Sequence, residues 1–237
     1  MKIWGITDIG LVRQENQDSF QVRKLNEQTA LLVVCDGMGG ARAGNVASRM
    51  AADAFVAEVC ARCGSGNWAS VLEEAVWEAN GQVFSASLAH DEYRGMGTTL
   101  VAALVTPEKI WMVNVGDSRC YAIEEGIISR VTRDHSLVED LVLRGDITPE
   151  EARNHPQKNL ITRALGVDRT VRVDVFERDN RGGYLLLCSD GLSNMVTDEE
   201  LRSEVVAEDR DACCSRLLKR ALDEGAPDNV TVVIAQL

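Results

Sequence analysis

Short apolar runs rich in β-branched residues alternate with turn clusters along most of the chain, and two long stretches carry the 3.6-residue period of helices instead. These patterns predict strands at residues 2–8, 17–23, 30–36, 98–105, 109–116, 119–124, 127–131, 171–178, 183–189 and 230–236. They predict long helices at 44–62 and 68–89, with others at 136–144, 149–154, 198–206 and 210–224. Two helices in succession after the third strand, then a meander of strands, exclude a repeated βαβ unit. The order predicts an α+β fold with mainly antiparallel sheets and helices outside. No repeat, low-complexity segment or Pro/Ser-rich linker breaks the chain, so residues 1–237 read as one domain.

Aspartates stand where several of these strands meet turns. Asp36 closes the run from Ala30, Asp117 follows the run from Trp111, Asp190 follows the run from Tyr184, and Asp228 opens the run to Ala235. With Asp18 they would form a site of oxygen ligands alone, the donor set suited to Mg²⁺ or Mn²⁺. Taken singly, each is equally an Asp bonded to turn amides, and Asp36-Gly37, Asp190-Gly191 and Asp228-Asn229 all fit ordinary turns. The repetition weighs the other way. Five acids converging without cations would repel one another and raise each other's pKa, so convergence would imply metal and, with it, hydrolysis of phosphate esters. Asp36 and Asp190 end their strands whereas Asp228 begins its own. If the three share a site, the last strand runs antiparallel to the other two.

Val33 to Gly44 also has the outline of strand, glycine-rich turn and helix that opens a dinucleotide fold. The next element decides against it, because 68–89 continues as a second helix where that fold needs a parallel strand. No Walker-type or HExxH pattern occurs. Glycines at 37, 39 and 40 permit positive φ, and a turn without side chains also lets a carbonyl approach a cation, Gly37 being the nearest to Asp36.

Composition narrows the context. At 45% hydrophobic and 26% charged, 237 residues can bury one large core. A net charge of −12 argues against nucleic acid or an anionic membrane as the main partner, since both reward basic patches. No segment has the length of a membrane span, and the N-terminus lacks the form of a signal peptide, so a cytoplasmic location is expected. Of seven cysteines, Cys35 and Cys188 lie inside apolar strands, which suits a reducing compartment. Cys60, Cys63, Cys213 and Cys214 lack the spacing and histidine partners of a structural zinc site.

An ordered set of short motifs spans nearly the whole chain. It comprises Thr7-Asp8-Ile9-Gly10 with Arg13 and Asn16-Gln17-Asp18, Asp36-Gly37-Met38-Gly39-Gly40, Met96-Gly97-Thr98-Thr99, Gly116-Asp117-Ser118-Arg119, Asp134-His135-Ser136, Thr162-Arg163-Ala164-Leu165-Gly166, Ser189-Asp190-Gly191-Leu192 and Asp228-Asn229. The set resembles the metal-dependent protein phosphatases of type 2C, most closely their compact bacterial members. That resemblance implies a central sandwich of two antiparallel sheets flanked by helices, with a flap at about 136–160. It implies Asp18, Asp36, Asp190 and Asp228 as ligands of two Mn²⁺ or Mg²⁺ ions, with the Gly37 carbonyl, and Asp117 with Asp190 on a third, weaker ion. Arg13 matches the arginine that binds phosphate. The expected activity is hydrolysis of phosphoserine and phosphothreonine in proteins by a hydroxide activated between the two ions, with Arg13, Asp36 and Asp190 as the catalytic set. The expected setting is a monomer opposing a Ser/Thr protein kinase; alternatives are a phosphatase dedicated to one regulator of a partner-switching pathway, or a silent phosphoprotein-binding domain.

The sequence also departs from the family's pattern. Gln17 replaces an acid found in some relatives, Met38 stands where eukaryotic members have a histidine, and Ala41 replaces a histidine frequent in bacterial ones. The donor of the leaving-group proton is thereby left among metal-bound water, His90, His135 and His155.

Overall fold

The computed structural model describes residues 1–64 and 66–237, and of residues 40–42 the backbone alone. In chain order the elements are β1 (Lys2–Asp8), β2 (Asp18–Lys24), β3 (Ala30–Met38), α1 (Gly40–Ala61), α2 (Trp68–Ala89), β4 (Gly97–Thr98), β5 (Leu100–Val105), β6 (Lys109–Val115), β7 (Arg119–Glu124), β8 (Ile127–Arg130), α3 (Leu137–Arg144), α4 (Pro149–Arg153), β9 (Asp174–Asp179), β10 (Tyr184–Cys188), α5 (Asp190–Ser193), α6 (Asp198–Val206), α7 (Cys213–Asp223) and β11 (Val230–Gln236). One sheet has the order β1-β11-β10-β7-β8. The other runs β2-β3-β5-β6-β9, with β4 paired beside β3. Every strand pair is antiparallel, including β10 with β11, the polarity that a site shared by Asp190 and Asp228 demands.

Period-two alternation builds three apolar layers from the two sheets. In β3, Leu31, Val33 and Cys35 face α1 and α2, while Leu32 and Val34 face the opposite sheet. In β11, Val230, Val232 and Ile234 face α5 to α7, and Val233 and Ala235 point into the space between the sheets. Strands buried on both faces explain why their sequences read as continuous apolar runs. Helices thus cover both outer faces. Among the described residues no helix is long and apolar enough to cross a membrane, and all seven cysteines are free thiols.

Several boundaries differ from the sequence reading, α1 beginning at Gly40 rather than residue 44 and α7 at Cys213 rather than residue 210. The strand predicted at 98–105 breaks at Thr99, whose N–H and hydroxyl are both bonded to the backbone of Asp36. The strand predicted from 171 starts at Asp174, because the Val171 carbonyl instead accepts the indole N–H of Trp77 on α2. One further turn of helix, α5, begins at Asp190 itself.

Candidate active site

The alternation that packs the space between the sheets continues beyond its apolar stretch and there places acids. Asp36 follows Val34 on the inter-sheet face of β3, and Asp18 precedes Phe20 on the same face of β2. The two are register partners across the β2–β3 ladder, so their side chains emerge side by side. Asp190 comes at the end of β10 and Asp228 just before β11, adjacent strands of the facing sheet. A cleft of about 600 Å³ opens here, lined by Arg13, Gly37, Asp36, Asp117, Asp190 and Asp228 among others. Asp18 is buried behind them.

Hydroxyls and amides hold these acids in place. Asp18 Oδ2 accepts from Ser189 Oγ and Thr231 Oγ1, both at 2.7 Å, and Thr231 also pairs with Thr7 Oγ1 at 2.7 Å. Asp190 Oδ2 accepts from Asn194 Nδ2 at 3.0 Å, and Asp228 Oδ2 from Arg13 Nη2 at 2.7 Å. Asn229 ties the loop that carries Arg13 to Asp228: its side chain accepts from Gln17 N–H and donates to the carbonyls of Ile9 and Glu15, at 2.8, 2.9 and 3.0 Å. Gly37 is required by close approach, since a Cβ there would lie 2.1 Å from the Gly44 carbonyl oxygen. The left-handed backbone lies two residues on, at Gly39, with φ of 127°.

Gathering carboxyls in a dry site is costly, and their acidities show it. Burial above all, and then the neighbouring Asp190 and Asp228, push the Asp18 carboxyl up to about 7 against two stabilising hydroxyl bonds. Burial followed by Asp228 raises Asp190 to about 6. Asp36 and Asp117 are raised well above the carboxylate range, again chiefly by burial. Among the described residues Asp18 Oδ1 and Asp190 Oδ1 are buried without a hydrogen-bond partner. Unpartnered carboxylate oxygens in an anion-rich site are the donors a hard divalent cation takes. Among the described residues no three acidic, histidine or cysteine side chains enclose a point that would hold an ion as they stand. Asp228 Oδ2 is taken by Arg13 and Asp190 Oδ2 by Asn194, and the oxygen set that remains fits Mn²⁺ or Mg²⁺ in chemistry.

A stability prediction follows from the raised acidities. Groups whose folded pKa exceeds the ordinary value of 3.8 contribute stability that is full below about pH 4 and lost as pH rises through the folded values near 6 and 7. In chelator the melting temperature should therefore fall between pH 5.5 and 8. His135, whose pKa is lowered mainly by burial, opposes the trend at the acid end. Saturating Mn²⁺ should reverse the loss at pH 8. A melting temperature in chelator that is flat or rises over that window would contradict the repulsion argument.

Comparison with known proteins decides what kind of site this is. The family model described as protein phosphatase 2C matches residues 12–224. The chain belongs to the protein phosphatase 2C family. It is 38% identical over 237 residues to the serine/threonine phosphatase stp of Listeria monocytogenes serotype 4b (strain F2365), covering 97% of this chain and 93% of that protein. The structure of the serine/threonine phosphatase Stp1 from Staphylococcus aureus superposes with a TM-score of 0.91 at 39% identity, over 100% of this chain and 94% of that one. The catalytic domain of the phosphatase PstP, solved in complex with two manganese ions, gives a TM-score of 0.88 at 37% identity, over 99% of this chain and 97% of that one. This protein phosphatase 2C chain is thus of the bacterial serine/threonine kind, a class of metal-dependent hydrolases.

Within this phosphatase the structure brings Arg13, Asp36, Gly37, Asp117, Asp190 and Asp228 to one cleft, with Asp18 immediately behind. Met38 lines the same cleft, and the side chain of Ala41 lies outside the described residues. None of the three histidines lines it. His135 is buried elsewhere, His155 accepts from Gln157 N–H on the flap at 3.1 Å, and His90 stacks at an angle on Tyr93. Sequence reasoning did not single out Thr231, Asn194 or the bonding role of Asn229. Their one sequence signal is a polar residue next to an acid or inside an apolar strand, as Thr231 is inside β11.

Proposed function

We propose that this phosphatase removes phosphate from phosphoserine and phosphothreonine side chains with Asp18, Asp36, Asp190, Asp228 and the Gly37 carbonyl holding two Mn²⁺ or Mg²⁺ ions. Asp117, with Asp190, holds a third and weaker one. The observation that carries the reading is the grouping of four acids and Arg13 around one cleft, with a fifth acid in register behind. Held by these residues, two such cations would supply a more acidic water and neutralise charge on the phosphoryl oxygens. Phosphoryl transfer needs positioning and charge neutralisation more than covalent help, so no nucleophilic Ser or Cys is required. This chain's residues supply the positioning. Arg13 exchanges its Asp228 partner for substrate phosphate, to which its planar fork can bond twice, while Asn229 keeps the Arg13 loop at the cleft. We take residues 1–237 as one catalytic unit, acting in the cytoplasm as a monomer against the products of a Ser/Thr kinase, with the flap at 136–160 contributing recognition.

The test is phosphate release from a small aryl phosphate and a phosphothreonine peptide, with Mn²⁺, Mg²⁺ or chelator. Release from both substrates in metal and none in chelator is expected; turnover that survives chelator would refute the reading. In the same assay Arg13→Ala should raise KM roughly 10-fold or more, the worth of a hydrogen bond to a charged group. Arg13→Lys should recover only part of that loss. An unchanged KM in Arg13→Ala would make the arginine a bystander.

A further inference from the structure

The two ends of the flap close on each other as a stalk. Ser136 and Ile161 form a β-bridge, Leu137 N–H donates to the Leu160 carbonyl at 2.9 Å, and Thr162 N–H donates to the His135 carbonyl at 2.8 Å. The same stalk grips the turn that carries Asp117 at two points. On one side, His135 Nδ1 accepts from Gly116 N–H at 3.0 Å, and His135 N–H donates to the Gly116 carbonyl at 2.9 Å. On the other, Arg119 reaches the Asp134 carboxylate through Nε at 3.0 Å and Nη2 at 2.7 Å. Residues 116 and 119 bracket Asp117, and their partners 134 and 135 are consecutive.

The turn has little freedom of its own. Gly116 has φ of 109°, and a Cβ there would lie 2.5 Å from Thr99 Cγ2. Thr99 in turn bonds Ser118 Oγ at 2.7 Å and takes the Asp36 N–H at 2.9 Å. His135 is only 5% exposed, and both ring nitrogens face polar partners. Because Nδ1 accepts from an amide, the neutral ring carries its proton on Nε2, which faces Asp174 Oδ2 at 3.3 Å. Arg163, from the far end of the stalk, donates to Asp174 Oδ1 at 2.8 Å; its Nη1 lies 3.0 Å from the protonated Nε2, two donors facing each other with the Asp174 carboxylate facing both. Burial and then the Arg163 charge lower the pKa of the ring, which keeps it neutral and in this accepting form. A ring so placed is no proton donor to substrate.

We propose that His135 is a positioning residue: by holding Gly116 it fixes the turn that presents Asp117, and makes that turn and the flap stalk one mechanical unit. The consequence for the weak cation rests on the reading of Asp117 given above; the mechanical coupling does not. Two variants separate the hydrogen bond from bulk. His135→Leu removes the acceptor, whereas His135→Asn keeps one where Nδ1 stood. His135→Gln, which moves the acceptor towards Nε2, replaces the leucine variant if that protein does not fold.

Amide hydrogen exchange on the metal-free protein should show Gly116, Asp117 and Ser118 exchanging roughly 10-fold faster in His135→Leu and near the native rate in His135→Asn, a local opening rather than a global one. Calorimetric titration with Mn²⁺ should show the weak site loosened about 10-fold or more in the leucine variant, the usual cost of removing a support around a ligand, with the tight sites intact. Unchanged exchange at residues 116–118 in His135→Leu overturns the proposal. So does equal acceleration across the whole protein in both variants, which would make His135 a core residue only. If exchange responds as expected but Asp117→Ala still binds every Mn²⁺ ion of the native protein, the clamp stands and the assignment of Asp117 to a cation falls.

Discussion

Asp190→Asn should abolish most turnover and at the same time make the metal-free protein harder to unfold at pH 8. The first effect is expected because, on the proposed reading, Asp190 would be the acid shared between the binuclear set and the weaker ion. Removing mere supports of metal ligands costs about 10–100-fold, so loss of a charged ligand should exceed about 100-fold. The second arises because the Asp190 carboxyl, raised to about 6 chiefly by burial and then by Asp228, is ionised at pH 8 at the expense of the fold. An amide of the same shape lifts that repulsion from Asp228 and also from Asp18 and Asp36, each of which feels Asp190. Chemical denaturation in chelator at pH 8, alongside phosphate release at saturating Mn²⁺, measures both effects on one preparation. Asp36→Asn should behave in the same way. Substantial activity in both variants would refute the two-ion mechanism, and lower stability in both would refute the account of the site as stored repulsion.

The opposed directions of these two effects explain what the sequence made legible. Strand ends could be read because the apolar runs are long and β-branched, and Asp36, Asp117, Asp190 and Asp228 interrupt them where a core residue would be cheaper. Their grouping could be inferred from repetition and from the resemblance together. The supports could not. Thr231 looks like an ordinary β-branched member of β11, and only the packing of the two sheets reveals that its hydroxyl meets Asp18 from the opposite layer. Thr99 lies within what reads as a continuous strand, yet its bonds to Asp36 and Ser118 break the strand into β4 and β5. Likewise, the place of Arg13 beside the acids was legible through its motif, while its pairing with Asp228, far away in sequence, was not. Residues whose work is done within their own strand leave a pattern; residues that act across the sandwich depend on a register that no local window contains.

Asp117→Ala should separate ion binding from turnover. Asp117 borders the main cleft and also a second cavity of about 310 Å³ beneath the flap, and Asp190 is the other acid common to both. Its carboxyl is raised mainly by burial, then by Asp190 and Asp134, with Arg119 opposing, so it sits in a dry, acidic corner with one partial counter-charge. A cation held there by Asp117 and Asp190 alone has few protein ligands. Mg²⁺ and Mn²⁺ held so sparsely keep most of their hydration and bind weakly, so this position should empty first as metal is diluted. The alanine variant should therefore retain both tightly bound Mn²⁺ ions and fold normally, and calorimetric titration should find one weak site missing. Turnover should nevertheless fall by more than about 10-fold, as for loss of a support to the reacting centre, because the missing charge stands between the cleft and the flap stalk. Loss of a tight site in Asp117→Ala would move Asp117 into the binuclear set. Full turnover with the weak site gone would make that ion a spectator, and the two-point grip of Asp134 and His135 on its turn would then serve the flap alone.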